Sequence, residues 1–334
     1  MTAALSLKER GVGSFIIEKS DTLGGRAAQL ACKGTQECVR CDCCLAKDKI
    51  DEAKSCDLIE RLNGVEITKL LGKPGDFKVS LADPGATNGK RNLRVGAVIC
   101  AFGYEPFNPI IDRRLGIGES PDILTALELE KRINETGRLL VPSTGLAPQR
   151  VAFIQCVGSR DARYDRDYCS KACCKYAFKL AQLLKKQYPD LTISFFFMDW
   201  RLYDPRENVR LWAAGKKDVE LQRSRPSEII VEAGKPSVRF AAESDAQVME
   251  RSYDLVILSI GISPSSDTEK MAKKLGIERD ALGFLKTNTW DPCVSNRAGI
   301  FLAGCCCGPK EIVESAKEGA VAAAKAYAFL GGRR

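Results

Sequence analysis

The chain has 334 residues, 45% hydrophobic and 28% charged, with 51 Lys and Arg against 43 Asp and Glu and no histidine. That length supports two packed domains, and the scattered charge of +8 lacks the dense basic or aromatic-basic runs of a nucleic-acid binder. Without histidine, His-ligated zinc, His-ligated haem and His general bases are excluded, so fifteen cysteines point to thiolate chemistry. No run of roughly 18 apolar residues suggests a membrane span. The amino terminus lacks signal-peptide sections, so the expected location is cytoplasmic and disulfide scaffolding is disfavoured.

Residues 2–10 read as the end of a helix closed by Gly11. Residues 14–18, SFIIE, form a short apolar strand ending in an acid, and DTLGGRAAQL then turns through two glycines into a helix. In a Rossmann unit the acid after the second strand bonds a ribose hydroxyl, and Glu18 fits that role. The strand and G-x-G-x-x-G loop that normally come first are not in the sequence. We expect them upstream, from a start placed too far downstream or a truncated terminus, because omitting a central strand would expose neighbouring sheet edges.

Six cysteines follow at 32, 38, 41, 43, 44 and 56. Residues 64–71 and 77–81 read as strands with Pro-Gly turns at 74–75 and 84–85, and 95–103 as a buried strand ending in glycine. A helix is predicted over 121–135, with Ser120 as N-cap and Pro121 in its first turn. Residues 140–149 read as a linker. A second unit starts at Arg150: strand 151–155, helix 171–187 from its apolar period, strand 191–198 and buried strand 253–261. Strand 299–303 turns through GCCCGP into a helix from 310 to about 330.

The strongest local signal is Cys156, Cys169, Cys173 and Cys174. Residues 169 and 173 share a face if helical, and 174 lies about 100° further round. At a helix N-terminus such thiolates, and an anionic group held by them, meet the positive end of the dipole. Four thiolates suit an iron–sulfur cluster or zinc; buried or redox thiols are the remaining alternative.

The segments IEKSDTLGGRAAQL, FKVSL, FIQCVGSRD…YCSKACCKYAFK and GIFLAGCCCGPKEI together resemble the heterodisulfide reductase A-subunit (HdrA) family over nearly the whole chain. The resemblance is greatest to the short HdrA-like subunit of the sulfur-oxidising heterodisulfide reductase-like complex. It implies an α/β, thioredoxin-reductase-like flavoprotein with two Rossmann-type three-layer domains, the second inserted in the first. FAD binding falls to 1–115 and 290–334, and the iron–sulfur cluster to the inserted nucleotide-binding-like domain, 116–289. It implies a [4Fe–4S] cluster on Cys156, Cys169, Cys173 and Cys174. FAD-site roles fall to Glu18, Lys19, Gly24, Gly25, Arg26, Lys49, Ala101, Gly103, Lys179, Gly304, Cys305, Pro309 and Ile312. Lys179 is the implied catalytic group, facing the isoalloxazine, with a solvated helix lysine as the alternative. The helix after Pro309 would turn its N–H groups toward the flavin. Cys41 and Cys44 match a family C-x-x-C; with Cys38 and Cys43 they make a second redox site conceivable.

The implied function is cytoplasmic electron transfer in sulfur oxidation, as an oxidoreductase subunit with HdrB-like and HdrC-like partners, as a homodimer or A–A′ pair. The second domain lacks a glycine loop for a pyridine nucleotide, so electrons are expected to pass through the cluster rather than from bound NAD(P)H. The alternatives are a self-contained pyridine-nucleotide:disulfide oxidoreductase and a structural zinc scaffold.

Overall fold

The computed structural model describes residues 1–34, 37–204, 207–243 and 247–331. The chain divides into two compact units: Met1–Leu30 with Asp42–Glu105 and Ser263–Arg334, and Ala31–Cys41 with Pro106–Ile262.

The second unit is built on a parallel sheet in the order Val219–Gln222, Thr192–Phe196, Arg150–Val157, Leu255–Ile260, Ile123–Thr125. The central strand is buried from Val151 to Val157. Its period of two divides the core. Val151 and Phe153 pack with Leu129 and Ile133 of helix Ala126–Thr136 and with Ala177, Leu180 and Leu184 of helix Ala172–Gln187. Ala152 and Ile154 pack on the other face with Ile229, Val238 and Phe240, which belong to an antiparallel meander of Glu228–Glu232, Lys235–Ala241 and Val248–Ser252. Helices, sheet and meander make three layers. Burial on both faces explains why the strand is uniformly apolar rather than alternating.

Three local expectations change. Residues 121–135 are not one helix: Ile123–Thr125 is a strand, with Ile123 opposite Val256, and the helix begins only at Ala126. Its cap is Thr125, whose Oγ1 accepts the Glu128 N–H at 3.2 Å while Glu128 Oε2 accepts the Thr125 N–H at 2.7 Å. Sheet pairing overrides the Ser-Pro signal, and Ser120 Oγ instead donates to the Gly234 carbonyl at 2.9 Å. Residues 95–103 are also divided: Val95 ends the antiparallel strand Lys90–Val95, and Val98–Cys100 pairs with Ile300–Leu302. The segment 140–149 is a turn tied by Val141 N–H to Leu146 O at 2.8 Å, with Val141 buried in the core, rather than a loose linker.

The first unit holds two parallel strand pairs, Ser14–Ile17 with Ile59–Leu62 and Val98–Cys100 with Ile300–Leu302. A meander of Glu66–Lys73, Asp76–Ala82 and Lys90–Val95 accompanies them. Helices Thr2–Lys8 and Ile312–Phe329 pack against each other. Among the described residues, no helix is long and apolar enough to cross a membrane.

Candidate functional site

Cys156, the last residue but one of the central strand of the second unit, adopts φ 60°, a left-handed conformation that side-chain-bearing residues rarely take. Gly158 follows at φ 70°, and a Cβ there would stand 1.9 Å from the Phe107 ring, so only glycine lets this turn close. The chain then loops out and returns through Tyr168, whose carbonyl accepts the Arg160 N–H at 3.0 Å. Cys169 lies in this loop, not in the helix, which starts at Ala172 after Lys171 at φ 58°. Its Sγ accepts the Lys171 N–H at 3.3 Å.

Cys156, Cys173 and Cys174 meet as thiols. The hydrogen bond from Cys173 holds Cys156 down, to about 7, with Arg160 acting in the same direction against burial. Cys174 is lowered by the same partner and by the Arg201 backbone. Cys173, the donor between them, is raised by its hydrogen bonds to Cys156 and Cys174 and by burial. Arg201 also hydrogen-bonds Cys169 through its side chain. The four predicted residues are therefore connected, three directly and the fourth through Arg201. Among the described residues, no three Cys, Asp or Glu side chains stand at metal-chelating separations. The donor types suit a thiolate-held metal or cluster: Cys173 links Cys156 and Cys174, an N–H group and a guanidinium face them, and the chain has no imidazole to compete.

The sequence did not signal Arg160, Asp199 and Arg201. Asp199 pairs with Arg160 and stands 3.3 Å from Arg201 Nε. An acid just past an apolar strand, the pattern that singled out Glu18, was also present in FFFMD.

Apart from Lys179, the residues expected at a flavin lie in the first unit. Glu18 follows the strand Ser14–Ile17, and its Oε1 accepts Ser20 N–H at 3.0 Å and Ser20 O–H at 2.8 Å. Lys19 faces Asp267 at 2.9 Å and Glu66 at 3.4 Å, and the Asp267 hydrogen bond raises its pKa. Gly24 has φ 106°, and a Cβ there would stand 2.6 Å from Ile50 Cδ1. Gly25 opens the helix Gly25–Gln29. Arg26 Nε donates to the Tyr104 carbonyl at 3.2 Å, which brings the Gly-Gly turn to the segment holding Ala101 and Gly103. Lys49 pairs with Glu52 at 3.0 Å.

Gly304 N–H donates to Glu318 Oε2 at 2.8 Å. Cys305 Sγ donates to the Lys310 carbonyl at 3.4 Å, and burial raises its pKa. Pro309 precedes the helix that begins at Ile312, whose N-terminus is capped reciprocally by Glu311 and Glu314.

In the second unit Lys179 is buried and its Nζ stands 2.7 Å from Glu207 Oε1, so it is not a solvated helix lysine. A second buried charge group, also unforeseen, joins Lys33, Glu130 and Tyr176. Lys33 and Glu130 line a cavity of about 220 Å³ with Asn134 and Leu180. Cys38 and Cys44 are exposed, Cys41 is half-buried and Cys43 is buried.

No protein-family model matches the chain. It is 38% identical over 248 residues to an iron-sulfur A subunit of CoB–CoM heterodisulfide reductase from Methanopyrus kandleri, covering 71% of this chain and 37% of the relative. It is 34% identical over 275 residues to the corresponding iron-sulfur A-type protein of Methanocaldococcus jannaschii, covering 80% of this chain and 40% of the relative. The chain thus spans about two fifths of the length of these relatives. The thioredoxin reductase of Lactococcus lactis superposes with a TM-score of 0.63 at 15% identity, over 99% of this chain and 95% of that one, which establishes the fold. By sequence the chain is a homologue of the heterodisulfide reductase A subunits, in a thioredoxin reductase-like α/β fold.

Proposed function

We propose that the chain is an FAD- and [4Fe–4S]-containing electron-transfer subunit of a heterodisulfide reductase-like complex, an oxidoreductase that works with HdrB-like and HdrC-like partners. The observation that carries this reading is the meeting of Cys156, Cys173 and Cys174, with Cys169 tied in through Arg201, at the end of the central strand of a Rossmann-type sheet. In a dinucleotide domain that strand end is where the phosphate loop stands. Cytoplasmic sulfur oxidation as a homodimer or A–A′ pair is the finer form of the proposal, supported by the sequence resemblance.

When bound, the flavin would supply two-electron and one-electron transfer and the cluster one-electron transfer. The protein's part is positioning. Cys156, Cys169, Cys173 and Cys174 would hold the cluster as thiolates. Glu18 would exchange its Ser20 hydrogen bonds for a ribose hydroxyl. Gly24 and Gly25 would leave room for the pyrophosphate beside Arg26, with Gly304, Cys305, Pro309 and Ile312 on the carboxyl-terminal segment of the same unit. Ala101 and Gly103 complete this set, and Lys19 and Lys49 contribute charge already balanced by Asp267, Glu66 and Glu52. Lys179 would serve the flavin with its charge offset by Glu207.

An absorption spectrum of the anaerobically purified chain, followed by addition of NADH, tests the reading. Flavin bands over a broad shoulder near roughly 400 nm, unbleached by NADH, are expected. Flavin alone bleached by NADH would replace it with a pyridine-nucleotide:disulfide oxidoreductase, and colourless zinc protein with a structural scaffold.

A further inference from the structure

We propose that Arg160, Asp199 and Arg201 form a charge clamp that sets the reduction potential of the cluster, the two guanidiniums raising it and the carboxylate moderating them. This rests on the reading of Cys156, Cys169, Cys173 and Cys174 as cluster ligands.

The clamp is assembled by strand register. Thr192–Phe196 runs parallel to the central strand with Phe196 opposite Ile154, so residues just past the two strands emerge together. Arg160 comes from the first exit, Asp199 and Arg201 from the second. Arg160 is fixed at φ 54° by its own N–H to Tyr168 O at 3.0 Å and by Arg225 Nη1 donating to its carbonyl at 3.3 Å. Its guanidinium pairs with Asp199 and hydrogen-bonds Cys156. Arg201 stands 3.3 Å from the same carboxylate, hydrogen-bonds Cys169 through its side chain and faces Cys174 through its backbone N–H. Three of the four sulfurs thus meet the clamp.

Two arginines against one aspartate leave a net positive charge beside a group that four thiolates make anionic. One-electron reduction adds negative charge there. Cations and N–H donors to sulfur stabilise the more negative state, so they favour reduction. A purely structural ion pair predicts a different pattern, because removing either sign would disturb the loop alike.

The test is an EPR-monitored redox titration of the full chain purified anaerobically, as wild type, R160Q, R160K, R201Q and D199N. Iron and acid-labile sulfide are measured on each sample. R160Q and R201Q are expected to disfavour reduction by about threefold to tenfold, tenfold being about 59 mV for one electron. D199N is expected to favour reduction, the opposite sign, and R160K to stay within about twofold of wild type because it keeps the charge. Should R160Q fail to fold, R201Q and D199N decide, since Arg201 and Asp199 are 40% and 44% exposed. Loaded variants with unchanged potentials, or D199N shifting in the same direction as R201Q, would overturn the clamp and leave the ligand assignment standing. A wild-type chain without iron would overturn the ligand assignment and the clamp together.

Discussion

Two thiol-rich regions of this chain differ in what faces their sulfurs. At the end of the central strand, Cys156 and Cys174 meet a thiol donor, a guanidinium and a backbone N–H, and both are lowered, Cys156 to about 7. In the first unit, burial pushes Cys100 up to about 12 and Cys293 up to about 11. There Cys306 donates to the Cys100 carbonyl at 3.4 Å and Cys293 to the Glu318 carbonyl at 3.7 Å. Cys307 is raised by its hydrogen bond with Cys306 and then by burial. Thiols raised by burial, such as Cys100 and Cys293, stay protonated and behave as small apolar side chains; thiols facing N–H donors and cations are poised to bind metal. Cysteine count alone does not separate these roles.

The contrast can be sharpened first where the second unit buries charge. K179M would leave Glu207 buried without its ion-pair partner, at a cost of about 3–5 kcal/mol. K179M with E207L together should recover most of that. Urea unfolding of the singles and the double mutant measures it, and a double as unstable as the single would refute the pairing.

A smaller effect concerns the protonated thiols of the first unit. Cys100 keeps its proton up to about pH 12 when folded, whereas an ordinary thiol releases it near 9.0. The unfolded chain therefore loses the proton first. Stability is full below about pH 9 and falls as pH rises toward 12, by roughly 1.4 kcal/mol per pH unit at the steepest. Unfolding curves across that range should flatten in C100A. An unchanged alkaline limb would break the contrast from the first unit's side.

The smallest effect is local to the second unit. T125A removes the cap of helix Ala126–Thr136 and should cost about 1 kcal/mol. The readout is the urea midpoint, with iron content unmoved. A loss of iron in T125A would mean that the thiol site depends on the whole helix layer rather than on its own loop.

The sequence made some of this legible and hid the rest for physical reasons. The helix Ala172–Gln187 followed from the period of Tyr176, Leu180, Leu183 and Leu184, and the parallel strands from short apolar runs. Cys156, Cys169, Cys173 and Cys174 were visible as a spacing. Ser120 and Pro121 misled because pairing with Leu255–Ile260 claims residues 123–125 before the helix can start. The meander from Glu228 to Ser252 escaped notice because Pro236 and interspersed charges mask its alternation. Arg160, Asp199 and Arg201 were invisible because strand register alone brings residues about forty positions apart to one edge. The Lys33–Glu130 pair, 97 residues apart, was hidden for the same reason.

The most direct measurement is iron and acid-labile sulfide per chain, after anaerobic purification, in wild type, C173A and C306A. The account predicts about four of each in wild type and in C306A, and near-complete loss in C173A. Iron retained in C173A, or lost equally in C306A, would contradict it.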